Sequence, residues 1–172
     1  LNQERVLYLY DTITNQSVAP ILAAIIECNI EDDSNETEKR EPIHLYINSG
    51  GGVMYDANAL LSAMDSSKTP IYTYCHGYAM SAALTIFVGG HKRFAGKHAT
   101  FMLHQPNEKL GEDKLFVLEN RIEETKRLMS NRIQYIWNRT NLTLKDFEDK
   151  KYIDWFVDSV EALDKEIVHQ II

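Results

Sequence analysis

Hydrophobic and polar positions follow two periods along this chain, and the change from one to the other recurs. Val6-Leu-Tyr-Leu-Tyr10, Ile43-His-Leu-Tyr-Ile47 and Ile71-Tyr-Thr-Tyr-Cys75 are short runs rich in β-branched and aromatic residues, which predict strands. After the first run, Val18, Ile21, Leu22, Ile25 and Ile26 recur at helical spacing, with Ser17 as the predicted cap and Pro20 in the first turn. After the second, Val53, Ala57, Leu60, Leu61 and Met64 do the same. After the third, residues 81–88 are almost uniformly apolar, as in a buried helix, with Gly77 as the turn between strand and helix. Short strands are predicted around residues 93–95 and 100–104. Strands alternating with helices over the first hundred residues predict βαβ units and a largely parallel sheet, an α/β fold.

The remaining pattern is helical. Leu115, Leu118, Ile122, Thr125, Met129, Ile133 and Ile136 form one stripe of a long helix, which either packs on its own sheet or meets a second copy. Thr143 with Asp146, and Asp158 with Glu161, read as capped starts of short helices. The charged segment 30–41 reads as a solvated loop.

Candidate chemistry collects at the joints of this pattern. Ser81 stands where a strand gives way to a helix, beside the unpaired N–H groups of a helix start. It is either a cap or a nucleophile at a sharp turn. Asn48-Ser-Gly-Gly-Gly52 follows a strand and lacks the Lys-Ser/Thr of a phosphate loop, which leaves a plain turn or backbone donors aimed at a reacting carbonyl. His104 ends a strand, where α/β folds gather functional groups, and is either a structural histidine or a functional one. Asp154, enclosed in Tyr152-Ile-Asp-Trp-Phe156, is either a local acceptor or the partner of a histidine. Cys28 and Cys75 read as small buried hydrophobes, and His76 beside Cys75 points to the opposite strand face.

Composition narrows the class. The chain has 172 residues, 44% hydrophobic and 25% charged, the balance of an ordinary globular protein with a single core. Its net charge of −7 argues against a nucleic-acid surface. No apolar run reaches the ~20 residues of a membrane span, so no membrane role is expected.

Together these residues resemble the proteolytic subunits of the Clp protease, the ClpP family. The similarity runs through Glu4-Arg-Val-Leu-Tyr-Leu9, His44-Leu-Tyr-Ile-Asn-Ser-Gly-Gly-Gly52, Gly77-Tyr-Ala-Met-Ser81, Phe101-Met-Leu-His-Gln-Pro106 and Ile153-Asp-Trp-Phe156. The resemblance implies a ClpP/crotonase-like fold in one domain over 1–172, with a head (1–106 and 140–172) and a projecting handle helix (107–139). It implies a serine endopeptidase with Ser81 as nucleophile, His104 as general base and Asp154 as its orienting carboxylate. Gly52 and Ala82 match the oxyanion-hole positions, and Val53, Gln105, Pro106 and Asn107 the strand-like peptide site. It implies no cofactor or metal, stacked heptameric rings joined through the handle, a separate AAA+ unfoldase docking near Tyr46 and His44, peptide or unfolded-protein substrates and a cytoplasmic setting. A non-catalytic ring subunit is the alternative. An acyl-CoA enzyme of the crotonase type would share the backbone donors but not the triad. Gly50 stands where the family has a proline, and Ser81-Ala-Ala83 where it has Ser-Met-Gly.

Overall fold

A computed structural model describes residues 3–35, 39–105, 112–150 and 152–172. Strands β1 (Val6–Leu9), β2 (Ile43–Ile47), β3 (Ile71–Cys75), β5 (Lys92–Ala95) and β8 (Gln170–Ile171) form a sheet in the order β1-β2-β3-β5-β8, every neighbouring pair parallel. A smaller sheet, ordered β4-β6-β7, joins β4 (Tyr78–Met80), β6 (Thr100–Leu103) and β7 (Trp155–Asp158). Helices α1 (Asn15–Ser34), α2 (Met54–Ser66) and α3 (Ala82–Val88) follow β1, β2 and β4, with α1 packed on α2 and α2 on α3.

Period-2 patterning explains the two faces of the main sheet. Ile43, Leu45, Ile47, Ile71, Thr73 and Cys75 are buried, while the residues between them are half-buried. On the second face, the register brings Tyr8, Tyr46, Tyr74 and Phe94 into one row across four strands. Their rings are 5.6, 4.6 and 4.9 Å apart in sequence, within the range of favourable aromatic contacts.

Three details differ from the sequence pattern. First, α1 starts earlier than Ser17. Thr14 is its cap, and Thr14 and Ser17 form a reciprocal capping box, so Pro20 lies inside the helix. Second, α1 continues through Ser34 where a loop from residue 30 was predicted. The reason is a buried ion pair: Asp32 accepts from Arg5 at 3.1 and 2.5 Å and from the Thr69 hydroxyl at 2.6 Å. That ties the acidic helix end to the start of β1. Third, Gly77 lies in the bend between β3 and β4, and the strand β4 intervenes before α3. Three residues are too few for alternation to announce a strand.

The chain then enters α4 (Leu115–Trp137), α5 (Leu144–Lys150) and α6 (Ser159–Asp164). Thr143 and Asp146 make the predicted capping contacts, with Asp146 N–H donating to the threonine hydroxyl at 3.2 Å. Asp158 caps α6 through Val160 and Glu161 N–H. On α4 the buried line is Leu128, Arg132 and Ile136, each four residues from the next, with Met129 and Ile133 half-buried beside it. The helix thus buries side chains against its own body only over its second half. Leu115, Phe116 and Ile122 in the first half are 72%, 58% and 37% exposed. Among the described residues no helix is long and apolar enough to cross a membrane.

Candidate active site

The small sheet assembles the chemistry. Parallel pairing sets Met80 of β4 opposite Met102 of β6, and Ser81 N–H donates to the Met102 carbonyl at 2.8 Å. Antiparallel pairing sets Leu103 opposite Trp155 of β7. Ser81, His104 and Asp154 are therefore each one step beyond a paired residue, at one end of three adjacent strands. His104 Nε2 lies 2.8 Å from Ser81 Oγ, and its Nδ1 lies 3.5 Å from Asp154 Oδ1. The first distance is a hydrogen bond and the second a looser ion-pair distance. The Asp154 side chain is 60% exposed, that of His104 20%.

Ser81 is the hinge of this arrangement. Its backbone has φ 54° and ψ −126°, a conformation that residues with a side chain rarely adopt. It occupies the cap position of α3, yet its side chain makes no cap hydrogen bond. The hydroxyl turns to His104 instead, which removes the capping explanation for this serine.

The glycine loop lies against this elbow. Gly51 has φ 98°, and a Cβ added to it would come within 2.8 Å of both the Met80 carbonyl oxygen and Ser81 Cβ, and 3.1 Å of Ala82 N. A Cβ on Gly52 would sit 2.3 Å from the Ile13 carbonyl oxygen. Ile13 N–H donates to Gly51 O at 2.9 Å, and Val53 N–H to Ile13 O at 2.8 Å, clasping the loop from both sides. Ser49, 1% exposed and read only as part of the loop from sequence, does the rest. Its hydroxyl donates to Asp11 O at 2.6 Å and accepts from Gly51 N–H at 3.1 Å. Its backbone bonds Tyr78 and Met80 on β4.

A cavity of about 480 Å³ opens in front of Ser81, walled by Gly50, Gly52, Val53, Met54, Tyr55, His104, Thr125, Leu128 and Arg132. A small apolar cleft of about 30 Å³ lies on the other side of His104, between Gln105, Met129, Ile133, Phe147 and Trp155. Of the candidate peptide-contacting residues, Val53 faces the larger cavity and Gln105 the cleft, whereas Pro106 and Asn107 lie outside the described residues. Ala82 is the first residue of α3, where helix N–H groups have no intrahelical acceptor.

Electrostatics favour a neutral imidazole. Burial is the main cause that lowers the His104 pKa from its ordinary 6.5, and the Arg132 charge lowers it further, while Asp154 acts in the opposite direction. Arg132 went unremarked in the sequence because a charged letter on a helix reads as solvent-facing. The Cys75 thiol, 1% exposed, is pushed up to about 12 by burial, which leaves it inert beside His76. Among the described residues no group of three or more His, Cys, Asp or Glu side chains could hold a metal ion.

Comparison with known proteins agrees with this architecture. The chain is 26% identical over 183 residues to the ATP-dependent Clp protease proteolytic subunit 2 of Synechococcus sp. (strain CC9605), covering 100% of this chain and 85% of that protein. It is 30% identical over 166 residues to the ATP-dependent Clp protease proteolytic subunit of Coffea arabica, covering 94% of this chain and 81% of that one. The family model described as Clp protease matches residues 1–172, and the chain belongs to the Clp protease family.

Proposed function

We propose that this protein is a serine endopeptidase in which Ser81 attacks a peptide carbonyl. The observation that carries the reading is the 2.8 Å contact between Ser81 Oγ and His104 Nε2, made by a serine whose strained backbone leaves its hydroxyl free of capping. A serine hydroxyl alone is too weak a nucleophile for an amide, so a base must remove its proton as the bond forms. His104 takes that proton on Nε2 and returns it to the departing amine. Water then attacks the acyl-enzyme, giving its proton to His104, and His104 passes that proton to Ser81 Oγ as the acid product leaves. Asp154 holds Nδ1–H toward itself and stabilises the imidazolium. The 3.5 Å separation closes to a hydrogen bond when substrate or a neighbouring subunit covers the exposed carboxylate.

The negative oxygen of the tetrahedral intermediate is received by the N–H groups of Gly52 and Ala82. Support comes from the packing of the glycine loop against the elbow and from Gly52 and Ser81 sharing one cavity. Such donors are each worth ~3 kcal/mol in the transition state. Peptide lies extended across the cavity along Val53. The handle extends from the head and joins two seven-membered rings through its exposed first half, so that the sites face an enclosed chamber. A separate AAA+ unfoldase feeds it, docking on the aromatic row that includes Tyr46. Both partnerships rest on family membership and on the exposed apolar residues of α4.

The deciding experiment is labelling with a fluorophosphonate. Wild-type protein should be modified at Ser81 and cleave unstructured peptides, and Ser81→Ala should do neither. Cleavage by that variant at the wild-type rate would reject the assignment, and an assembled but unlabelled wild type would favour a non-catalytic ring subunit.

A further inference from the structure

The cavity in front of Ser81 has a charged floor with nothing to pair it. Arg132 is 6% exposed and lines that cavity together with Ser81, His104 and Leu128. Its Nε donates to the Thr85 hydroxyl at 3.0 Å, and Nη1 reaches the His104 carbonyl at a long 3.4 Å. Nη2 is buried without a hydrogen-bond partner, and among the described residues no carboxylate forms an ion pair with the group. Arg93, also buried, makes a useful contrast. It donates to the carbonyls of Val88, Arg139 and Glu166 at 2.7 to 3.1 Å, joining the end of α3 to later loops. Arg93 also leaves one buried nitrogen, Nε, unpaired, but its three bonds all go to backbone carbonyls within the fold. Arg132 leaves Nη2 unpaired, makes two bonds, one of them long, and lines the open cavity in front of Ser81.

Taking a guanidinium out of water is expensive, and the cost is offset only when an anion or several acceptors replace the lost hydration. A planar guanidinium is matched by a carboxylate, which it can bind through two parallel hydrogen bonds. Resting on the peptidase reading above, we propose that Arg132 is a specificity-determining residue. It selects substrates carrying aspartate or glutamate at the residue whose carbonyl Ser81 attacks, the P1 position. The surrounding wall suits this. Leu128 and Met54 exclude water from the arriving carboxylate, and the nearest anchors of Arg132, Thr85 on α3 and the His104 backbone, fix its fork in the wall of the cavity that holds Ser81. An apolar P1 side chain would instead bury the guanidinium against hydrocarbon.

The test uses the full-length assembled protein and capped fluorogenic peptides that differ only at P1, carrying Glu, Asp, Gln, Leu or Phe. Wild-type kcat/KM for Glu should exceed that for Gln by at least about 10-fold, as a charge-assisted bidentate contact requires. Arg132→Met should bring the two within about 2-fold and raise the Leu rate, and Arg132→Lys should retain part of the Glu preference. A merely structural arginine would alter all substrates alike, so the ratio is the diagnostic readout. A second set, with an internal acid or with a free against an amidated C-terminus, identifies the source of the carboxylate. Preference that follows the free terminus overturns the P1 assignment. Wild type cleaving Leu at least as fast as Glu overturns the proposal while leaving the peptidase reading intact, and this holds even should the variants misfold. No turnover of any peptide, with Ser81 unlabelled, overturns both.

Discussion

His104 and Asp154 face each other because Leu103 and Trp155, their neighbours in sequence, pair across an antiparallel ladder. The carboxylate oxygen is 3.5 Å from Nδ1 and its side chain is 60% exposed. The Asp154 carboxylate is thus held by β7 pairing rather than by burial. Asp154→Asn should retain the fold and lower kcat by about 100-fold or more, since an amide no longer favours the productive imidazole tautomer. Steady-state cleavage beside an unchanged thermal midpoint is the measurement. A variant with wild-type kcat would remove Asp154 from the mechanism.

The acid limb of the pH–rate profile follows from the same histidine. In the proposed mechanism His104 must be neutral to accept the serine proton, and burial followed by the Arg132 charge lowers its pKa below the ordinary 6.5. On a neutral peptide, kcat/KM should therefore reach half its plateau below pH 6.5. Asp154→Asn removes the opposing contribution and should move that limb to still lower pH. A limb lying above 6.5 in the wild type would contradict the electrostatics described.

Two adjacent glycines give a controlled comparison. Gly51 needs φ 98° and has no room for a Cβ, whereas Gly50 has nothing within 4 Å of that position. Gly51→Ala should cost about 1–3 kcal/mol through backbone strain and push against Ser81, abolishing labelling. Gly50→Ala should stay within about 0.5 kcal/mol of wild type. Urea midpoints and probe labelling of the pair decide it, and equal behaviour would mean that the loop does not brace the elbow.

The Arg5–Asp32 pair should govern acid stability. Its two hydrogen bonds, with that from Thr69, hold the Asp32 pKa below the ordinary 3.8. The native state therefore binds fewer protons than the unfolded chain. The stabilisation is fully present above about pH 3.8 and is lost as pH falls through the lower native value. Asp32→Asn leaves Arg5 buried without its charge partner and should cost about 3 kcal/mol at neutral pH. The gap between variant and wild type, followed by denaturant unfolding, should narrow below pH 3.8.

Assembly is expected to depend on the first half of α4, where Leu115 and Phe116 are 72% and 58% exposed. A Leu115→Glu, Phe116→Glu double variant should sediment as a smaller species with its secondary structure intact. An unchanged particle size would place the contact elsewhere.

The parallel sheet was legible in the chain because Ile43–Ile47 and Ile71–Cys75 each carry a full alternation, and the helices after them a full period. Short strands were not. β4 has three residues and is defined by partners on β6, so its pattern exists only once the sheet has formed. The early end assigned to α1 has a similar cause: a run of acids reads as solvated until Arg5, 27 positions away, is seen to bury one of them.

Local chemistry was thus written into the chain itself: which segments could be strands, where helices could be capped, and which serine, histidine and aspartate stood at the joints. Placement was not. That Ser81 reaches His104 instead of capping α3, that Asp154 comes opposite the histidine, and that Arg132 lines the same cavity with one nitrogen unpaired all depend on strand pairing and helix packing between distant residues. Periodicity reports a side chain's face, and only the tertiary fold decides what that face meets.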